Sequence, residues 1–134
     1  MTDWQATFER LQELEASSRL KELQDVLSEA RKDIPRSGSP DKWDWFATAL
    51  NQSKDLSFFV LDVFRDHPIP RRLFDPMMQA GIQFGDASTL KFYMRPCIET
   101  FGLEAVREWL DTHNLNGKRS LAEYWLVPPR KLRH

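Results

Sequence analysis

The 134-residue sequence contains a single cysteine, Cys97, so it cannot form a disulfide within the chain. One unpaired thiol is typical of a reducing compartment, and we therefore expect a cytoplasmic protein. No stretch approaches the roughly eighteen apolar residues that a membrane-spanning helix needs, and the first residues lack the basic and apolar regions of a secretory signal. These absences predict a chain that is neither embedded in a membrane nor exported by that route.

A strong charge of either sign is also missing. Nineteen Lys and Arg residues stand against twenty Asp and Glu residues, which leaves a formal net charge of -1. No overall field therefore favours nucleic acid or an acidic membrane surface, and only local patches could do so. The ordinary apolar and charged fractions, at this length, predict one globular domain with its own core, residues 1–134.

Motifs for cofactors and metals are absent as well. The glycines are isolated, so no phosphate-binding loop is present. His67, His113, His134 and Cys97 show none of the spacings by which metal sites are recognised. Cys97 could act as a nucleophile with one of the histidines as its base, but its place in an apolar helical stripe favours a buried, inert thiol. We expect no cofactor and no catalytic role.

Apolar side chains recur at helical spacing through most of the chain, which predicts an all-α fold. The stripes that begin at Trp4 and at Leu20 predict a helical hairpin, or one bent helix, over residues 1–36, with Ser17 or Ser18 as the second N-cap. A Pro, Gly and Ser loop then separates this hairpin from a helical body over residues 41–127. Residues 128–134 form a basic tail.

Proline, glycine and capping residues divide the body into short helices. Helix starts are expected at Pro40, Asp55, Asp75-Pro76, Ser88 and Ser120, and helix ends near Gly85 and Gly102. Pro96 predicts a kink or a restart around Arg95. No segment alternates apolar and polar residues between hairpin turns, although Phe58-Phe59-Val60-Leu61 could alternatively form a buried strand.

Three helix starts share a pattern of Leu, two further residues, an aromatic and a large apolar residue. They are Leu56-Ser57-Phe58-Phe59-Val60, Leu90-Lys91-Phe92-Tyr93-Met94 and Leu121-Ala122-Glu123-Tyr124-Trp125. This spacing predicts equivalent inward positions in stacked helix pairs. Together with the run Pro96–Val106, it makes residues 41–127 resemble a HEAT-like helical repeat protein, with shorter intervals than usual. The resemblance implies a scaffold that binds proteins, and less often nucleic acids, on one face. An irregular helical bundle is the alternative.

The candidate binding residues are those for which simple core or capping roles are least convincing. Trp45 is out of phase with Trp43 on one helix, and an exposed Trp near Arg is typical of an interface. The full candidate set is Trp45, Arg71, Arg72, Phe74, Lys91 and Arg95. We expect a non-catalytic module that binds a protein partner, such as an immunity-type or regulatory inhibitor. The alternatives are nucleic-acid binding through the basic residues and the tail, and a small enzyme that uses Cys97 with a histidine.

Overall fold

A computed structural model of the chain describes residues 3–34, 40–65 and 67–126, without the side chains of residues 40–42. The all-α prediction is confirmed, because the described residues form helices and no strand. The α-helices are α1 (Trp4–Ala16), α2 (Leu20–Lys32), α3 (Pro40–Gln52), α4 (Lys54–Val63), α5 (Phe74–Phe84), α6 (Leu90–Phe101), α7 (Leu103–Thr112) and α8 (Arg119–Leu126), and a 3-10 helix, Arg71–Leu73, precedes α5.

The helices form two compact units, Met1–Arg65 and Asp66–His134. The first unit contains α1 to α4 and the second contains the 3-10 helix and α5 to α8. The sequence placed a division after the hairpin of residues 1–36, whereas α1 and α2 belong to the same unit as α3 and α4. The basic tail, residues 128–134, lies outside the described residues.

Aromatic rings fill the core of the first unit. Phe46 on α3 is fully buried, and its ring centroid lies 4.9 Å from that of Trp4 and 5.0 Å from that of Phe64. The ring of Phe8 lies 5.5 Å from that of Phe59. Offset and edge-on rings at these separations add about 0.5–1.5 kcal/mol per pair to the area that they bury. Phe59 lies within α4, so the strand alternative for this segment is wrong.

The turn between α1 and α2 differs from its prediction. Ser17 and Ser18 do not cap α2, since Arg19 occupies that position and no side chain bonds there. Instead Ser18 has a φ of 59° and closes α1. The N–H of Arg19 donates to Leu14 O at 2.9 Å and that of Ser18 to Glu15 O at 3.0 Å, the pair of bonds that defines a Schellman motif.

At two helix starts the capping residue is a neighbour of the residue that we predicted. Pro40 begins α3 as expected. Ser53, and not Asp55, caps α4 by accepting the N–H of Leu56 at 3.2 Å. Asp86, and not Ser88, holds the turn before α6: its Oδ1 accepts the N–H of Thr89 at 3.0 Å, while Thr89 Oγ1 accepts the N–H of Asp86 at 2.9 Å. The N–H and hydroxyl of Ser88, together with the hydroxyl and N–H of Thr89, donate to the Asp86 carboxylate and lower the pKa of Asp86 to about 2.

In the second unit α5 and α6 pack closely because glycine leaves room. A Cβ on Gly81 would lie 2.8 Å from Tyr93 Cβ, nearer than side chains approach one another. Helix α6 continues through Pro96 without a restart. It ends at Gly102 as predicted, and the φ of Gly102 is positive, at 97°, although its ψ of 155° is not that of a left-handed helix.

The repeat pattern predicts inward positions that are only partly observed. Leu56, Phe59, Leu90 and Tyr93 are buried, as expected. The inward position predicted for Tyr124 is wrong, because this side chain is 66% exposed, and Leu121 is half-buried. The third copy of the pattern therefore places its aromatic residue on the surface, and membership of a repeat family stays a prediction.

Candidate interaction surface

Two large aromatic side chains are exposed in the second unit. Phe92 on α6 is 48% exposed and Tyr124 on α8 is 66% exposed. With the half-buried Lys91 and Trp125 they form a continuous surface that we call the aromatic patch: Lys91, Phe92, Tyr124 and Trp125. Large aromatic residues in contact on a surface are unusual unless something covers them, because apolar area in water is unfavourable.

Contacts within the aromatic patch fix its geometry. Lys91 Nζ lies 5.3 Å from the ring centroid of Phe92 and 5.2 Å from that of Trp125. The Tyr124 ring stands edge-on to Trp125, with centroids 4.8 Å apart and planes at 84°. A cation within about 6 Å of a ring face is attracted to it. Lys91 therefore connects α6 to α8 and keeps a positive charge between the rings.

The cations of this surface lack the carboxylate partners found elsewhere. Arg119, on the same helix as Tyr124, pairs with Asp111 at 2.6 Å and Glu123 at 2.7 Å. In contrast, neither Lys91 nor the exposed Arg95 forms an ion pair with any described residue. Arg95 follows Lys91 by one helical turn, so the two cations lie on the same side of α6. The aromatic patch thus carries positive charge that the described residues of its unit do not neutralise.

A polar atom beside the aromatic patch is also without a partner. The indole Nε1 of Trp125 is buried and has no hydrogen-bond acceptor among the residues that the structure describes. Burying such a donor costs about 1–3 kcal/mol when no acceptor replaces water.

Arg71, a predicted binding residue, lies over two rings. Its Cζ is 5.6 Å from the centroid of Phe74 and 5.4 Å from that of Phe101, and these two rings are 4.8 Å apart. The structure thus brings Arg71 and Phe74 together, with Phe74 buried and Arg71 exposed. Stacking orients the guanidinium while its N–H groups stay available. Arg72 is also exposed.

Trp45, the remaining predicted binding residue, belongs to the first unit and is half-buried. Its ring packs edge-on against Phe46 at 5.4 Å and against Phe59 at 6.1 Å. A role in the aromatic core therefore accounts for this side chain. Its participation in binding stays a prediction, and the candidate set is divided between the two units.

A second polar cluster joins α5 to α7. Trp109 Nε1 donates to Asp75 Oδ1 at 2.7 Å, and His113 stacks on Trp109 with ring centroids 4.0 Å apart. His113 Nδ1 lies 2.8 Å from Trp109 O, and its Nε2 lies 3.4 Å from Asp75 Oδ1. Both imidazole nitrogens therefore lie beside polar atoms of the protein.

Cys97, the other residue considered for catalysis, is fully buried on α6. Burial raises the pKa of its thiol to about 12. The nucleophile of cysteine chemistry is the thiolate, which at this pKa is scarce near neutral pH. The prediction of a buried thiol is confirmed.

Neither metal ligands nor relatives mark a further site. Within residues 3–34, 40–65 and 67–126, no three His, Cys, Asp or Glu side chains are grouped as they would be around a metal ion. The helices in those ranges are also too short or too polar to cross a membrane. No family model, no curated protein and no solved structure matches the chain.

Sequence reasoning identified Lys91 and Arg95 but missed the three aromatic residues of the patch. Tyr124 was placed inward by the repeat pattern, and Phe92 was read as part of the same motif. One signal was present, since Phe92 lies out of phase with Leu90 and Met94, which are both buried. The exposure of Tyr124 depends on how α8 packs, which local sequence does not encode.

Proposed function

We propose that the chain is a non-catalytic protein-binding module, of the inhibitory or regulatory kind, and that the aromatic patch is its contact surface. The observation that carries this proposal is the exposure of Phe92 and Tyr124 beside Lys91 and Trp125. Aromatic residues with a neighbouring cation are enriched among residues that dominate binding energy at interfaces. Covering the two exposed rings would remove apolar area from water.

Rigidity of the rings supports the same proposal. Tyr and Trp offer large contact areas with few rotatable bonds, so little conformational entropy is lost when a partner covers them. Trp125 is already held by Lys91 and Tyr124. Its half-buried indole and the exposed rings of Phe92 and Tyr124 would together form the contact.

Nucleic-acid binding is the alternative with some structural support, because Arg71 stacks on aromatic rings and Arg95 is unpaired. Single strands bind where bases can stack on accessible aromatic faces along a positive groove. Arg71 covers Phe74, which is buried and not available to a base, and the second ring, Phe101, is half-buried. The protein-binding proposal therefore has more support.

The experiment is site-specific photocrosslinking in the source cells. A photoreactive phenylalanine analogue replaces Tyr124 in one strain and Leu20 in another, since Leu20 is also exposed, at 65%, but lies on α2. We expect a discrete protein adduct from position 124 that is absent from position 20. Adding Phe92→Ser should abolish the adduct, because the partner loses half of its aromatic contact.

Two results would contradict the proposal. Identical adducts from both positions would indicate non-specific contact. Adducts at position 124 that nuclease digestion removes would assign the surface to nucleic acid instead.

A further inference from the structure

We infer that the partner of the aromatic patch is an acidic peptide segment, in which carboxylates flank an apolar or aromatic residue. This inference rests on the proposed function and specifies the chemistry of the partner. It derives from charge: Lys91 and Arg95 are the cations of α6, and neither has a carboxylate partner among the described residues. Bringing them under a neutral or basic partner would remove their hydration without any compensating charge.

Lys91 differs in its contacts from the cations that form ion pairs. Arg19, Lys32 and Arg119 pair with carboxylates in the structure, at 2.8 Å, 3.1 Å and 2.6 Å. Arg107 on α7, like Lys91, forms no ion pair with a described residue. What distinguishes Lys91 is that it lies against two rings of the aromatic patch, so an uncompensated charge and exposed apolar area are side by side.

The acidic residues on the two helices of the aromatic patch are Glu99 on α6 and Glu123 on α8. Glu123 is already occupied by Arg119. Glu99 lies one helical turn beyond Arg95, so the positive charge is concentrated at Lys91 and Arg95, toward the start of α6. An acidic segment is attracted there, whereas a basic one would be repelled.

The exposed rings of the aromatic patch determine which apolar residue the acidic peptide carries beside its carboxylates. Phe92 and Tyr124 expose faces that fit an aromatic, leucine or proline side chain, and Lys91 lies between their two helices. A carboxylate one or two positions away on an extended peptide would reach Lys91 or Arg95. A second copy of this chain and a nucleic acid are the other occupants that the test must separate.

The test uses a random peptide library displayed on phage, which is selected against the full-length chain. We expect the enriched peptides to be acidic and to contain a shared aromatic, leucine or proline residue. Peptide affinity is then measured for the wild type and for Lys91→Glu and Arg95→Glu. Each reversal should weaken binding about tenfold, in the range of close charge pairs at interfaces. Arg107→Glu, on the exposed side of α7, makes the same change in net charge outside the aromatic patch and should have no such effect.

Reversing the charges of the peptide and of the protein together gives the most specific result. A peptide whose acidic residues are replaced by Lys should lose affinity for the wild type and regain it for Lys91→Glu/Arg95→Glu. Lys91→Glu also removes the contact of Lys91 with Trp125 and could separate α8 from α6. Arg95 is exposed, so Arg95→Glu leaves the fold intact and tests the charge by itself.

The possible failures point to different errors. Enriched peptides that are neutral or basic, but depend on Phe92 and Tyr124, would overturn the acidic chemistry and leave the proposed function standing. Peptides indifferent to Phe92→Ser and Tyr124→Ser would overturn both. Tighter binding of a single-stranded oligonucleotide, with a steep salt dependence that Phe92→Ser removes, would assign the surface to nucleic acid. Self-association that Phe92→Ser abolishes, seen by sedimentation, would make a second copy the occupant.

Discussion

Trp109 Nε1 donates a 2.7 Å hydrogen bond to Asp75 Oδ1 and so joins α7 to the first turn of α5. Gln79 and His113 approach the same carboxylate, at 2.8 Å and 3.4 Å. Asp75 was expected only to start a helix, and its main role is to connect two helices that are distant in sequence.

Replacing Trp109 by Phe keeps an aromatic ring and removes the donor. We expect the free energy of unfolding to fall by about 1.5 kcal/mol or more: the bond contributes at the lower end for a charged acceptor because Asp75 is partly hydrated, and the smaller ring also loses buried area. Urea unfolding measures the change. Glu108→Gln, an exposed neighbour on the same helix, is the control and should be neutral. Equal stability of wild type and Trp109→Phe would show that the bond contributes nothing.

Gly81→Ala tests the close packing of α5 against α6. The added Cβ would lie 2.8 Å from Tyr93 Cβ, and Tyr93 is fully buried and cannot move aside cheaply. We expect a loss of about 1–3 kcal/mol, as in other overpacked cores. Gln83→Ala, exposed on the same helix, should be neutral or slightly stabilising. If both variants unfold at the same urea concentration, the helices are not in contact at Gly81.

Ser18→Gly should stabilise the first unit. Ser18 holds a φ of 59°, a left-handed conformation that costs a residue with a side chain about 1 kcal/mol and costs glycine little. A rise in melting temperature is expected. The matched control is Ser17→Gly, because Ser17 has a φ of -95° and its hydroxyl donates to Glu13 O at 2.8 Å. Ser17→Gly should lower the melting temperature. A lower melting temperature for both variants would contradict the assigned conformation of the turn.

The raised pKa of the buried Cys97 thiol predicts that the protein loses stability in alkali. A thiol in the unfolded chain loses its proton near a pKa of about 8.5, whereas the pKa of Cys97 in the fold is about 12. Between these values the unfolded state binds fewer protons than the native state, so the free energy of unfolding falls as pH rises. The slope attributable to this group is at most about 1.4 kcal/mol per pH unit.

Cys97→Ala removes that slope while leaving the other groups that titrate in alkali unchanged. The measurement is urea unfolding of both proteins from neutral pH to about pH 11, within the range in which the two thiol pKa values differ. The variant is expected to start less stable, because of its small cavity, and to lose less stability in alkali. If the free energies of unfolding of the two proteins change in parallel with pH, the thiol ionises as easily in the folded protein as in the unfolded chain.

The limits of sequence reasoning can be seen in particular residues. Pro40 sets a helix start correctly, because its backbone constraint acts locally, and α5 ends at Gly85 as predicted, where a Cβ would collide with Gly81 O. The capping roles of Ser53 and Asp86 were missed, since a neighbouring Asp or Ser satisfies the same local rule and only geometry distinguishes them. Burial of Phe59 was predictable from its stripe.

The candidate surface was harder to predict than the fold. Lys91 and Arg95 could be identified as basic residues on one helix, but their lack of carboxylate partners is a property of packing. The exposure of Tyr124 arises because α8 presents Ala122 and Leu126 to the core instead, a rotation that the repeat pattern did not indicate. Non-local contacts decide both features.

The central claim is that the partner contacts the aromatic patch. The most direct measurement is fluorine NMR of protein labelled with 5-fluorotryptophan, whose five resonances report on Trp4, Trp43, Trp45, Trp109 and Trp125 and are assigned by single Trp→Phe substitutions. On titration with the selected acidic peptide, the account predicts a shift of the Trp125 resonance and unchanged resonances for Trp43 and Trp109. A shift of Trp45 with Trp125 unmoved would contradict the account and restore the binding residue that the sequence favoured.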